Sequence, residues 1–154
     1  MEQRPLKRHQ ALQPLSKEHH FALLLCWKIR RGLEDNVDPD RIGRYLTRIW
    51  EHQLKPHFHT EEQYVFPVLG KENKLIRAAI SEHRTIRRLI LKQPFTIKSL
   101  NRIEEKLEAH IRAEERRIFP LVQTTATSSQ MALISSKHHH PIQELHWEDE
   151  FWKG

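Results

Sequence analysis

The sequence predicts an all-α protein, a bundle of helices around one core, and three observations carry that prediction. Only four Gly and two Tyr stand against 30% charged residues, a balance that suits long amphipathic helices and not the glycine-rich turns of a β-sandwich. Apolar residues recur at alternating three- and four-residue spacings through four separate stretches, which marks one buried face per helix. One eleven-residue phrase also occurs twice, HFHTEEQYVFP at 57–67 and HIRAEERRIFP at 110–120, each reading His-x-x-x-Glu-Glu-x-x-aliphatic-Phe-Pro. With 154 residues, 38% of them hydrophobic, there is material for one core and therefore one domain.

Residues 1–14 are polar and basic, carry Pro5 and Pro14, and read as an extended arm ending at Ser16, a helix N-cap. The first helix then shows the stripe Leu12, Leu15, His19, Ala22, Cys26, Ile29 and Leu33, and stops at Gly32 and the acidic segment DNVDPD. Asp38 and Pro39 supply an N-cap and a first-turn proline for the second helix, expected to run to Phe66. Its seam is Ile42, Leu46, Ile49, Gln53, His57, Glu61, Tyr64 and Val68, and Pro56 predicts a kink just before His57. The third helix, Asn73 to Lys92, has the seam Ile76, Ala79, His83, Ile86 and Ile90, and Pro94 ends the segment. The fourth starts near Thr96 or Ser99, buries Leu100, Ile103, Leu107, His110, Glu114, Ile118 and Leu121, and is expected to end at Pro120. The bundle therefore spans 15–122. Residues 123–154 read as a Ser/Thr-rich linker and then a tail with two of the four Trp, expected to cover an end of its own bundle in preference to a partner or a second copy.

A His and a Glu four residues apart lie one above the other on one helix face, which is metal-ligand spacing. The four seams each bury one histidine, and two add a carboxylate: His19, His57, Glu61, His83, His110 and Glu114. A single buried histidine is ordinarily a hydrogen-bonded core residue. Four of them with two carboxylates would leave buried charge and unsatisfied lone pairs that a cation neutralises. Six donors exceed the four of a tetrahedral zinc, whereas two ions bridged by Glu61 and Glu114 use all six and keep positions for a small ligand. Imidazole and carboxylate without thiolate suit iron, manganese or zinc, and two-metal carboxylate sites in bundles are usually iron or manganese. Glu62 and Glu115 lie about 100° round the helix and are expected behind the ligands or as surface partners of Arg and Lys. His52 and His59 fall off the seam and are expected at the surface. Cys26 reads as a small core hydrophobe, and the run His138, His139, His140, with His146 beyond it, as a surface feature without an assigned role.

The net charge of +6 and the basic third helix (Lys74, Arg77, Arg84, Arg87, Arg88, Lys92) could meet nucleic acid, but the helix lacks interleaved aromatics and a helix-turn-helix glycine, so a solvated face is expected. A lone cysteine, no apolar segment behind the first Arg and Lys residues, and no run near twenty apolar residues lead to the expectation of a cytoplasmic protein without a membrane span. No nucleophile triad or phosphate loop stands out.

The segments LSKEHH (15–20), HFHTEEQYVFP (57–67), SEHR (81–84) and HIRAEERRIFP (110–120) resemble the hemerythrin-like, or HHE cation-binding, family across roughly residues 12 to 122. The resemblance implies an up-and-down four-helix bundle around a non-haem di-iron centre that binds O2, with relatives that sense oxygen, nitric oxide or iron. Carried over, His19 and His57 cap one iron, His83 and His110 cap the other, and Glu61 and Glu114 bridge them. The helical stripe favours His19 over the adjacent His20. Oxygen-carrying members have a further histidine four residues after the third-helix ligand, and here that position is Arg87, which implies an open or water-filled site at that iron. The expected function is binding of, or reaction with, O2, NO or peroxide by a metal-binding protein rather than a dedicated enzyme. The alternative is an iron-responsive or metal-buffering module.

Overall fold

The computed structural model describes residues 7–138 and 143–154, and among them there is no strand. Helix α1 (Gln13–Glu34) follows a 3-10 turn at Gln10–Leu12, for which His9 Nδ1 accepts from the Ala11 amide at 3.0 Å. Pro14 sits in the first turn, where its missing N–H leaves nothing unpaired. The helix thus begins ahead of Ser16, and the expected arm is shorter than 14 residues, because Ala11 and Leu12 are buried against the second apolar cluster. Arg8 is also tied down, donating to Gln123 Oε1 and the Glu115 carbonyl. Residues 1–6 of the expected arm lie outside the described residues.

Helix α2 is one continuous rod over 39–68, entered through Asp38, whose carboxylate accepts from the Asp40 amide. It opens twice into a π-turn, at Trp50–Leu54 and Glu61–Val65, and helix α4 (97–125) opens once, at Glu114–Ile118. All three π-turns stand directly before a residue-proline pair. The amides of Lys55, Phe66 and Phe119 donate to the carbonyls of Trp50, Glu61 and Glu114, five residues back. Proline cannot donate and its ring presses on the carbonyl four residues earlier, so the preceding turn widens by one residue. In place of the kink expected just before His57, the helix runs on through a π-turn ahead of Pro56. Pro67 does end its helix, through a 3-10 turn at Phe66–Val68 and Gly70 at φ +84°. Pro120 does not: α4 continues as Phe119–Thr125 with the proline in its first turn.

Each extra residue rotates the downstream face, which corrects the expected seams. Leu54 is buried in place of Gln53, Val65 and Phe66 in place of Tyr64 and Val68, and Val122 in place of Leu121, which is 37% exposed. Helix α3 (Lys74–Leu91) is capped by Asn73 Oδ1, and α4 starts with a capping box between Thr96 and Ser99. The expected linker holds a further helix, α5 (Ser128–Ser135), started by a capping box between Thr127 and Gln130 and seated through Met131 and Ile134.

The core consists of two apolar clusters, one around Leu25, Ile29, Leu46, Ile86 and Leu107, the other around Leu15, Phe66, Ile76, Phe119 and Val122. Every long helix passes from one cluster to the other, and at each passage it places a histidine. The tail packs over the first cluster: Phe151 is buried there, and the rings of Trp147, Phe151 and Trp152 gather 5.7, 5.8 and 5.1 Å from that of Tyr45. Gly32 permits this approach, since a Cβ there would meet the Phe151 ring at 3.0 Å. Buried Lys28 fastens the tail, with Nζ 2.6 Å from Glu144, 2.9 Å from the Tyr45 hydroxyl and 3.9 Å from the Trp152 ring centre. Among the described residues no helix is long and apolar enough to cross a membrane.

Candidate metal centre

Between the two apolar clusters the four long helices bring all six predicted donors together. His19, His57, Glu61, His83, His110 and Glu114 are each at most 5% exposed. They form two groups, His19, His57, Glu61 and Glu114 in one and Glu61, His83, His110 and Glu114 in the other, with the donor atoms of each group all within 4.8 Å of one another. The two groups share both carboxylates. His20, His52 and His59 are exposed, and so is Arg87, which turns away from the centre.

Each imidazole presents Nε2 inward and Nδ1 to a carboxylate of a neighbouring helix. His57 Nδ1 lies 3.2 Å from Glu18, His110 Nδ1 3.0 Å from Glu82, His83 Nδ1 3.2 Å from Glu62, and His19 Nδ1 3.2 Å from Glu115. An ionised carboxylate only accepts, so every Nδ1 carries a proton, and in the neutral imidazole Nε2 is left as a lone pair. Carboxylates placed behind metal-bound histidines fix ring orientation and raise basicity.

Inside, the polar atoms converge without satisfying one another. His19 and His57 point their Nε2 atoms at each other across 3.0 Å, lone pair against lone pair in the tautomer the outer carboxylates impose. His19 Nε2 is 2.9 Å from Glu114, and His57 and His83 Nε2 are 3.3 and 3.2 Å from Glu61. Yet both oxygens of Glu61, both of Glu114, and the Nε2 atoms of His83 and His110 are buried without a hydrogen bond, because the approaches lack the required direction. Unsatisfied buried polar atoms are costly, and six converging around two shared carboxylates are compatible with a metal site that takes nitrogen and oxygen donors.

Without a cation the site holds protons instead. Burial alone would depress the histidines, but the carboxylates outweigh it: Glu114, Glu115 and Glu61 hold His19 well above its ordinary value, and Glu61 and Glu18 hold His57 up to about 9. Burial would likewise raise Glu18, and His138 and His57 bring it down to about 2. Cys26 is inert by the same logic, its thiol pushed up to about 12 by burial and then by Glu104 and Glu108.

Each position of the repeated phrase has its own place in the site. Its His and first Glu face the centre. Its second Glu accepts from a histidine of another helix, Glu62 from His83 and Glu115 from His19, and its Phe lies against that same histidine, Phe66 at 5.5 Å from His83 and Phe119 at 5.1 Å from His19. Its proline opens the π-turn between Glu and Phe, so the two reach neighbouring positions around one ring. Sequence reading alone left Glu62 and Glu115 open between this role and the surface, and gave Glu18 and Glu82 none. The doublets Glu61-Glu62, Glu114-Glu115, Glu18-His19 and Glu82-His83 were the available signal.

A family model described as the Hemerythrin HHE cation binding domain matches residues 10–122. Neither the curated proteins nor the solved structures gave a match.

Proposed function

Because this chain belongs to the hemerythrin HHE cation-binding family, we propose that His19 and His57 hold one ion, His83 and His110 a second, and that Glu61 and Glu114 bridge the two. The observation that carries this reading is the set of buried, unbonded oxygens and ring nitrogens around two shared carboxylates. Iron is the proposed metal, with manganese or zinc compatible with the same donors, and O2, nitric oxide or a peroxide the proposed ligand. Two ferrous ions in such a centre supply two electrons and open coordination positions. The protein's part is to orient the rings through Glu18, Glu62, Glu82 and Glu115, to keep their Nδ1 protons in place, and to exclude water with two apolar clusters. Arg87 gives no donor, so each ion receives the same protein set, two imidazoles and a share of two carboxylates. Phe58 lies flat on His83, ring centres 3.8 Å apart, which leaves less room at that ion than an open, water-filled site implies.

The test is anaerobic loading with ferrous iron, metal analysis, and absorption spectra before and after air or nitric oxide. New charge-transfer bands that disappear in Glu61→Gln are expected. Loaded protein that stays colourless, and loses stability on chelation, favours the second reading: a metal-responsive or buffering module, suggested by a core that is satisfied only when loaded.

A further inference from the structure

A cavity of about 530 Å³ lies between α1, α2, α4 and the tail. Its inner end is formed by the rings of His19, His57 and His110, and its walls by buried Ala22, Leu54 and Leu107 with Leu145 of the tail. A diatomic ligand or hydrogen peroxide leaves nearly all of it unfilled, whereas a volume of about 300–1,000 Å³ is the size that small organic ligands fill; the lining mixes those apolar side chains with Glu18, Gln53, Gln143 and Glu144. The outer end is different in character. Exposed His52 and His146 line both this cavity and an adjoining hollow, which brings in the side chains of Arg44 and Arg48. Among the described residues neither arginine has a carboxylate within ion-pair distance, while the nearby acids have partners: Glu144 with Lys28, Glu18 with His57, Asp149 with Arg41, and Glu51 with Lys55. Glu51, Glu148 and Asp149 line the same hollow, and among the described residues Glu148 has no such partner.

We propose that this cavity binds a chain-like amphiphile, with the apolar chain inside and its end toward the histidines, and an anionic carboxylate head at Arg44, Arg48 and His52. A fatty acid is the class that fits. The inference rests on the two-ion reading for what the chain end approaches, and on the cavity and its charged mouth for the binding itself.

The test is calorimetric titration of the full chain, metal-free and metal-loaded, with saturated carboxylates from hexanoate to dodecanoate. Affinity should rise about fourfold per added methylene until the cavity is filled, and should weaken with salt. The double variant Arg44→Gln, Arg48→Gln should bind roughly tenfold more weakly. Ala22→Leu fills the inner end, and Leu145→Trp narrows the cavity from the tail. Each should reduce affinity about tenfold or more, with folding followed by circular dichroism. Decanol, which lacks the charge, should bind less tightly than decanoate. Binding without saturation, no dependence on chain length, or unchanged affinity in both filling variants overturns the cavity assignment, and equal affinity for decanol overturns the head assignment. Metal content of the same samples separates the two readings: two ions per chain without carboxylate binding defeats only this inference, and carboxylate binding without ions defeats only the two-ion centre.

Discussion

The halves of the bundle, α1 with α2 and α3 with α4, are alike in bonding and unlike in access. Each supplies one His-x-x-x-Glu pair, one further histidine, and two carboxylates that accept from histidines of other helices. The residues beside these shared positions differ between the halves. Phe58, directly after His57, lies on the His83 ring, and Ile111 occupies the equivalent place after His110. Glu18 faces His138 at 3.5 Å as well as His57, while among the described residues Glu82 faces His110 alone. The cavity touches the rings of His19, His57 and His110, whereas His83 is covered by Phe58 and Phe66. The duplicated residues thus set the donors, and the unduplicated ones decide from which side the centre is reached.

Removal of a shared donor should break the symmetry of the comparison most severely. Glu61→Ala or Glu114→Ala is expected to abolish retention of both ions, whereas His57→Ala and His110→Ala should each leave one, as elemental analysis of the purified variants would read. Equal losses in all four would mean that the carboxylates are not shared.

Chelated protein should show a pH dependence that loaded protein lacks. The His57 proton has a folded value of about 9 against an ordinary 6.5, so its stabilisation is complete below about 6.5 and is lost as pH rises through about 9. The urea midpoint of the chelated form should therefore fall over that window, and a flat midpoint would count against a carboxylate-rich centre.

Truncation of the residue that makes the halves differ comes next. Phe58→Ala empties space beside Trp50, His83 and His110 and should cost about 3–5 kcal/mol in urea unfolding; a loss below about 1 kcal/mol would show that the ring is not a packed part of the site. The outer carboxylates should show the smallest effect and the best symmetry. Glu62→Gln and Glu115→Gln are each expected to weaken metal binding about 10–100-fold, and a large difference between them in competition with a chelator would show that the halves are not equivalent.

The clustering of His19, His57, Glu61, His83, His110 and Glu114 was legible in the sequence because a four-residue step on a helix fixes the direction of a His and Glu pair, and because the phrase is stated twice. Their supporting carboxylates were not, since Glu62 and Glu115 point about 100° away on their own helices and only the position of the neighbouring helix brings them to His83 and His19. The faces assigned to Tyr64 and Leu121 failed for a related reason: a strict helical period contains no π-turn, although Pro67 and Pro120 at fixed distances from the ligands marked where the period would slip. Helix α5 was hidden by its Ser/Thr composition, with Thr127 and Gln130 as the overlooked capping signal. The tail's aromatic content did indicate that it would seek a surface, and the bundle supplies it through Tyr45 and Lys28. His139 and His140 of the histidine run lie outside the described residues.

The most direct test of the shared-carboxylate centre is anomalous diffraction at the iron edge from crystals of protein loaded with ferrous iron under anaerobic conditions. Two peaks are expected, one among His19, His57, Glu61 and Glu114 and one among Glu61, His83, His110 and Glu114. A single peak, or peaks that leave Glu61 and Glu114 without a metal bond, would contradict the account.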